Sequence, residues 1–124
     1  MRLSFMTWVC PSWSVERIAE FTATSAYDGV EFRVEKDHAH GVEPDTSRAT
    51  RAAIVDRLGT RGVDVAAIAT SAHLADTDDA TRATAIESTK ANAELANAKE
   101  TPWTSIKKVG RKVLTPLAAT TYSE

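Results

Sequence analysis

The chain has 124 residues, of which 43% are hydrophobic and 26% are charged, and its formal net charge is −2. These proportions are ordinary for a folded domain and exclude a chain that is disordered throughout. No apolar run reaches the roughly 18 residues of a membrane span, and one cysteine, Cys10, excludes an internal disulfide. We therefore expect a soluble, cytoplasmic protein with no membrane partner.

The first predicted element is a short strand. The apolar run from Leu3 to Cys10 has the pattern of a strand that is covered on both faces, and Pro11 ends it. Ser14 is the predicted N-cap of the helix that follows. The apolar stripe of this helix consists of Val15, Ile18, Ala19 and Thr22. Together these residues predict a first β-α unit.

The second predicted strand begins at a tight turn. Asp28 and Gly29 form the turn, and the strand runs to Glu35. Its far end carries the charged residues Glu31 and Arg33, where a purely structural strand would stay apolar. We interpret Glu35 itself as a solvated loop residue.

A second helix and a third strand follow a polar loop. Ser47 is the predicted N-cap, and Gly62 stands where a helix C-terminus favours a left-handed residue. The predicted apolar stripe of the helix consists of Ile54, Val55 and Leu58. Small and branched residues over 63–68 then predict the third strand.

The third helix is predicted to begin at Thr77 and to end near Ala98. Asp78 and Asp79 lie in its first turn, where the helix dipole favours carboxylates. Five apolar residues support a long, alanine-rich helix: Ala80, Ala83, Ile86, Ala93 and Ala96. Three successive β-α units predict an α/β fold with a parallel sheet and helices packed outside it. Periodicity leaves open whether the sheet is open or belongs to a barrel.

The charge changes sign after Ala98. Residues 1–98 hold ten Lys and Arg against fifteen Asp and Glu, whereas residues 99–124 hold five against two. We therefore predict a boundary here, followed by a divergent basic tail that forms a short helix or is disordered. Apolar residues recur at helical spacing over 106–117 and basic residues share the opposite side, which is typical of a helix for an anionic partner or of a solvated helix.

Four segments carry a resemblance to a known family. Residues 26–33 (AYDGVEFR), 38–43 (HAHGVE), 61–66 (RGVDVA) and 68–71 (IATS) resemble the start of the xylose isomerase-like TIM-barrel proteins. These include sugar phosphate isomerases/epimerases, and the class II apurinic (AP) endonucleases are their relatives. The similarity covers residues 1–98.

The resemblance implies a partial (β/α)8 TIM barrel, made of the first three β-α units plus the divergent basic tail. It also implies a site at the C-terminal mouth of the strands and isomerisation or epimerisation of a sugar or sugar phosphate, assisted by a divalent metal ion. Most metal-binding residues of the family lie on later strands, which have no counterpart here. We therefore expect a truncated or frame-shifted, catalytically incomplete member that does not itself bind the ion.

The sequence departs from the family at three places. Ser25 stands where relatives have a large apolar residue, and Ala26 where they have glycine. After Ala98, a basic segment replaces the expected Leu-Gly turn and apolar fourth strand. We therefore expect a looser corner after the first helix and no fourth strand of the family type after Ala98.

Four residues are predicted to bind substrate. Glu31 and Arg33 are placed to contact sugar hydroxyls or a phosphate, although a rim ion pair is the structural alternative. His73 follows the third strand and either contacts substrate or is an exposed loop histidine. Trp8 either stacks on a sugar face or packs at the rim. No catalytic residue and no metal ligand is assigned.

Three further residues have mainly structural interpretations. His38 and His40 lie two apart in a loop, but with no second ligand cluster the sequence does not favour a zinc site there. Cys10 is interpreted as a small buried hydrophobe, because nothing cationic adjoins it in the sequence.

Two alternatives to an isomerase remain. A non-enzymatic remnant would bury the open edges of its sheet by self-association or against another chain. An AP endonuclease-like DNA repair protein would need a basic face and several metal ligands, and the acidic first region does not favour a nucleic acid partner.

Overall fold

The computed structural model describes residues 1–97 and the backbone of Thr120 and Thr121. In chain order the elements are β1 (Ser4–Met6), a 3-10 helix (Thr7–Val9), α1 (Val15–Thr24), β2 (Gly29–Arg33), α2 (Arg48–Gly59), β3 (Asp64–Thr70), α3 (Asp79–Ala96) and β4 (Thr120–Thr121). The predicted α/β class and the three successive β-α units are confirmed.

The strands form one sheet in the order β1-β2-β3-β4, and every neighbouring pair is parallel. The register between β2 and β3 shifts between Val30 and Glu31, so that Glu31 pairs with Ala67 and Arg33 with Ala69. Paired residues of neighbouring strands share a face, and therefore these alanines lie beside the two charged residues.

One hydrophobic cluster joins the sheet to all three helices. Val30 and Phe32, at alternate positions of β2, belong to it together with Ile18 of α1, Leu58 of α2 and Leu95 of α3. Alternate residues of a strand point to the same face. The three helices therefore pack on one face of the sheet, and Glu31 and Arg33 lie on the other.

Local chemistry sets the helix boundaries. Ser14 and Ser47 are the N-caps of α1 and α2, and their side chains accept the backbone N–H of Arg17 and Thr50. Gly62 has a φ of 71°, the left-handed conformation that glycine adopts without strain. All three predictions are confirmed.

The turn into β2 also follows the sequence. The Asp28 carboxylate accepts the backbone N–H of Leu3 at 2.8 Å, which ties the turn to the start of β1. A Cβ at Gly29 would lie 2.7 Å from the carbonyl oxygen of Asp64. Only glycine therefore allows β2 and β3 to approach this closely without movement of the backbone.

The predicted first strand is too long. Only Ser4–Met6 form β1, and the 3-10 helix leaves the side chains of Trp8 and Val9 53% and 77% exposed. The buried hydroxyl of Thr7 accepts the backbone N–H of Arg33 at 2.8 Å, the amide that a continuing β1 would bond through its own backbone. The prediction of a strand covered on both faces is therefore wrong.

The predicted start of the third helix is also wrong. The N-cap is Asp78 and not Thr77, because the Asp78 carboxylate accepts the backbone N–H of Thr81 at 2.7 Å. The residues of α3 that are buried are Ala85, Asn92 and Leu95. Ile86, which we counted among the residues that support this helix, is 41% exposed. The predicted long, alanine-rich helix itself is confirmed, and it ends at Ala96.

The predicted tail helix over 106–117 lies outside the described residues. Within residues 1–97, none of the helices is both long and apolar enough to cross a lipid bilayer.

Candidate functional site

The ends of three strands meet at one edge of the sheet. Arg33 is the last residue of β2, Thr7 follows β1 directly, and Ser71 follows β3 directly. Because the strands are parallel, their carboxyl ends lie at the same edge. Side chains that are far apart in the sequence are therefore brought into contact there.

Arg33 links two of these strand ends. Its guanidinium donates a hydrogen bond to the Ser71 hydroxyl, and its central carbon lies 5.3 Å from the centre of the Trp8 ring. This is the geometry of a cation–π contact. The guanidinium is therefore held in one place, while the indole stays half exposed. Two of the four predicted substrate-binding residues are in contact.

Glu31 lies on the same sheet face as Arg33, two residues earlier. Its Oε1 atom is buried and has no hydrogen-bond partner among the described residues. Burial raises the pKa of Glu31, and the attraction of the Arg33 charge partly opposes this effect. A buried carboxylate oxygen without a partner is costly, and a hydroxyl or amine of a ligand would satisfy it.

His73 is not part of this arrangement. It lies in the exposed loop between β3 and α3, and no hydrogen bond, ion pair or ring contact joins it to another residue within 1–97. Of the four predicted residues, the structure brings Trp8, Arg33 and Glu31 to one edge and leaves His73 apart.

A pair of histidines lies beside this edge on the helix-covered side. His40 is 5% exposed, and its ring packs edge-on against Phe32 with centroids 5.0 Å apart. The His38 ring lies 5.4 Å from that of His40 and 6.1 Å from that of Trp8. Burial lowers the pKa of His40 to about 4, and the neighbouring His38 adds to the effect. His40 is therefore neutral at physiological pH.

Glu35 forms a second polar cluster just past β2. Its carboxylate accepts hydrogen bonds from the Thr70 hydroxyl at 2.6 Å, the Asn92 amide at 3.2 Å and the Ser88 hydroxyl. Burial acts to raise the pKa of Glu35, but these hydrogen bonds outweigh it and the pKa is lowered. The interpretation of Glu35 as a solvated loop residue missed this role, which joins α3 to the end of β3.

The backbone conformation of Glu35 also indicates a structural role for this residue. Its φ is 62°, a left-handed conformation that is uncommon for a residue with a side chain. The Glu35 N–H donates to the Glu43 carboxylate at 2.6 Å, which holds this conformation in place. No sequence pattern signals these contacts, because their partners lie 8 to 57 residues away.

The described residues do not fit the divalent ion that the resemblance implies. Residues 1–97 do not bring together three or more His, Cys, Asp or Glu side chains in a group suited to a metal. The His40 ring nitrogens already bond Val42 and Thr7. Cys10 is buried and burial raises the pKa of its thiol, which agrees with its interpretation as a hydrophobe.

Comparisons with known proteins add no relative. A scan against models of protein families finds no match to this chain. A search of curated proteins also finds no match.

Proposed function

We propose that the chain is a partial barrel of the xylose isomerase-like type, and that the carboxyl ends of its strands bind a sugar or a sugar phosphate. The strands are parallel and follow one another in sequence order, and all three helices pack on one face. In barrels the helices surround the strands and the site lies at their carboxyl ends, which supports this assignment.

The observation that carries the proposal is the contact of Arg33 with Trp8 beside Glu31. A guanidinium matches the geometry of phosphate oxygens and pairs with them through two hydrogen bonds. An exposed indole offers an apolar face for the C–H side of a sugar ring. The Oε1 atom of Glu31 has no partner among the described residues, and in this proposal a sugar hydroxyl donates a hydrogen bond to it.

The chemistry available at this edge is that of binding and of proton transfer by one carboxylate. Burial shifts the pKa of Glu31 toward neutrality, which suits a group that accepts and returns a proton next to a carbonyl. We assign no step to a metal ion, because the described residues do not form a site for one. The proposal includes the expectation that this chain alone has no isomerase turnover.

Binding is tested by titrating the protein with fructose 6-phosphate and following backbone and indole NMR signals. We expect shifts at the ends of β1, β2 and β3, and we expect Arg33→Ala to weaken binding at least tenfold, since it removes a charge-assisted pair. Arg61→Ala is the matched control. Arg61 is exposed and lies between α2 and the first residue of β3, which places it at the edge of the sheet opposite the site.

Two results would contradict the proposal. Equal affinity of the Arg33→Ala and Arg61→Ala variants for fructose 6-phosphate would show that the sugar phosphate does not bind at this edge of the sheet. Turnover of keto or aldo sugars by the purified chain would contradict the expectation of inactivity.

Self-association is the second candidate, and one feature favours it. Within the described sheet β1 is an edge strand, and the apolar side chains of Leu3, Phe21 and Tyr27 near it are each about 40% exposed. An edge strand flanked by exposed apolar surface is a site for pairing with another chain. A melting temperature that rises with protein concentration would support this candidate, and a constant one would exclude it.

A further inference from the structure

The hydroxyl oxygen of Thr7 connects the segment that carries Trp8 to the backbone of Arg33. The Thr7 hydroxyl oxygen accepts the backbone N–H of Arg33 at 2.8 Å. Thr7 is also the first residue of the 3-10 helix that carries Trp8. The position of this hydroxyl therefore sets where the indole lies relative to the end of β2.

His40 holds the same hydroxyl from the opposite side. Its Nδ1 atom accepts the backbone N–H of Val42 at 3.0 Å, so the proton of the neutral ring is on Nε2. Nε2 then donates to the Thr7 oxygen at 3.2 Å. Thr7 is fully buried and His40 nearly so, which means that water does not substitute for either bond.

The imidazole has one orientation. Phe32 packs edge-on against it, and the His38 ring lies on another side. Because the ring is fixed by packing and by Val42, its Nε2–H points at the Thr7 hydroxyl, and the ring also has a hydrogen bond with the backbone of Arg33. The ring therefore transmits the position of the 36–45 loop to Thr7.

We propose that His40 is a positioning residue for the Arg33–Trp8 site: its Nε2–H fixes the Thr7 hydroxyl and so places the Trp8 indole against the Arg33 guanidinium. The effect of His40 on ligand binding rests on the proposed function. Its effect on the contact between Trp8 and Arg33 does not.

Two substitutions separate the two nitrogens of the ring. The amide of His40→Gln extends to the place of Nε2 and keeps a donor for Thr7. The shorter His40→Asn keeps an acceptor for Val42 but does not reach Thr7. Two properties are measured: the NMR signals of the Trp8 indole N–H and the Arg33 Nε–H, and the affinity for fructose 6-phosphate. The Trp8 signal is identified by its loss in the Trp8→Phe variant.

We expect His40→Asn to move both signals and to weaken fructose 6-phosphate binding roughly three- to tenfold, the range of one lost hydrogen bond. His40→Gln should move them less and bind nearly as the parent does. Equal effects of the two variants, or an unmoved Trp8 signal in a folded His40→Asn variant, would overturn the proposal.

A second pair protects the test if the His40 variants do not fold. Thr7→Ser keeps the hydroxyl and should preserve the Trp8 and Arg33 signals, whereas Thr7→Val removes it and should shift them. Equal behaviour of this pair would overturn the proposal. If the parent does not bind fructose 6-phosphate but the signals move as expected, the proposed function fails and the positioning role of His40 is supported.

Discussion

The two faces of β2 have different environments. On one face Val30 and Phe32 are fully buried beneath three helices. On the other face Glu31 and Arg33 are only partly buried, and one oxygen of Glu31 has no partner among the described residues. The comparison shows that the alternation of a single strand separates the residues of the hydrophobic cluster from two charged side chains on the opposite face.

The largest effect is expected on the helix-covered face. Phe32→Ala removes a fully buried ring and should lower the free energy of unfolding by about 3–5 kcal/mol. Phe21→Ala is the control, because Phe21 is 38% exposed and should cost much less. Chemical denaturation measures both, and equal losses would show that the helix-covered face is not the main source of stability.

Acid should lower the stability of the protein through His40, which packs against Phe32 on the helix-covered face. Its pKa is about 4 in the folded protein against an ordinary value of 6.5, so the unfolded chain binds the extra proton between these values. The free energy of unfolding should therefore fall as the pH drops from about 6.5 to about 4, by up to about 3 kcal/mol from this group. Denaturation of His40→Gln across the same range should show a shallower slope, and an identical slope would contradict the assignment.

The cluster around Glu35 should contribute less. Ser88→Ala removes one of its hydroxyl donors and should cost about 1 kcal/mol, and it should also move the pKa of Glu35 upward. Thr84→Ala is the control, since Thr84 lies one turn earlier on α3 and bonds only the helix backbone. An NMR titration of Glu35 that is the same in both variants would show that Ser88 does not support the carboxylate.

The smallest effect on stability is expected on the face of β2 that carries Glu31 and Arg33. Here the substitution should stabilise the protein, whereas the preceding ones destabilise it. Because the pKa of Glu31 is raised, its charged form is disfavoured in the folded protein at neutral pH. Glu31→Gln should therefore raise the free energy of unfolding, by less than about 1 kcal/mol. Glu20→Gln on the exposed surface should change it little. Destabilisation by Glu31→Gln would mean that this face also supports the fold.

The features predicted from the sequence are those with local causes. Ser14, Ser47 and Gly62 mark helix boundaries because the side chain or backbone of each residue acts within one turn. The order of β-α units follows from hydrophobic runs and turn residues, and it is enough to place Glu31 and Arg33 at a strand end.

The remaining features depend on contacts between distant residues. β1 ends early because Thr7 bonds Arg33, and Asn92 is buried because its amide bonds Glu35. Neither contact can be predicted from the spacing of apolar residues in the sequence. The bond from Arg33 to Ser71 and the role of His40 were missed for the same reason, since they require the strands to be assembled first.

The register of β2 on β3 has a consequence for the size of any bound molecule. Ala67 lies beside Glu31 and Ala69 beside Arg33, so only methyl groups flank the two charged side chains on β3. A longer side chain at position 67 would extend over the Glu31 carboxylate without entering the layer beneath the helices. Position 67 of β3 therefore offers a place where a longer side chain would restrict which molecules reach the Glu31 carboxylate, whereas Ala69 is fully buried and leaves no room for a larger one.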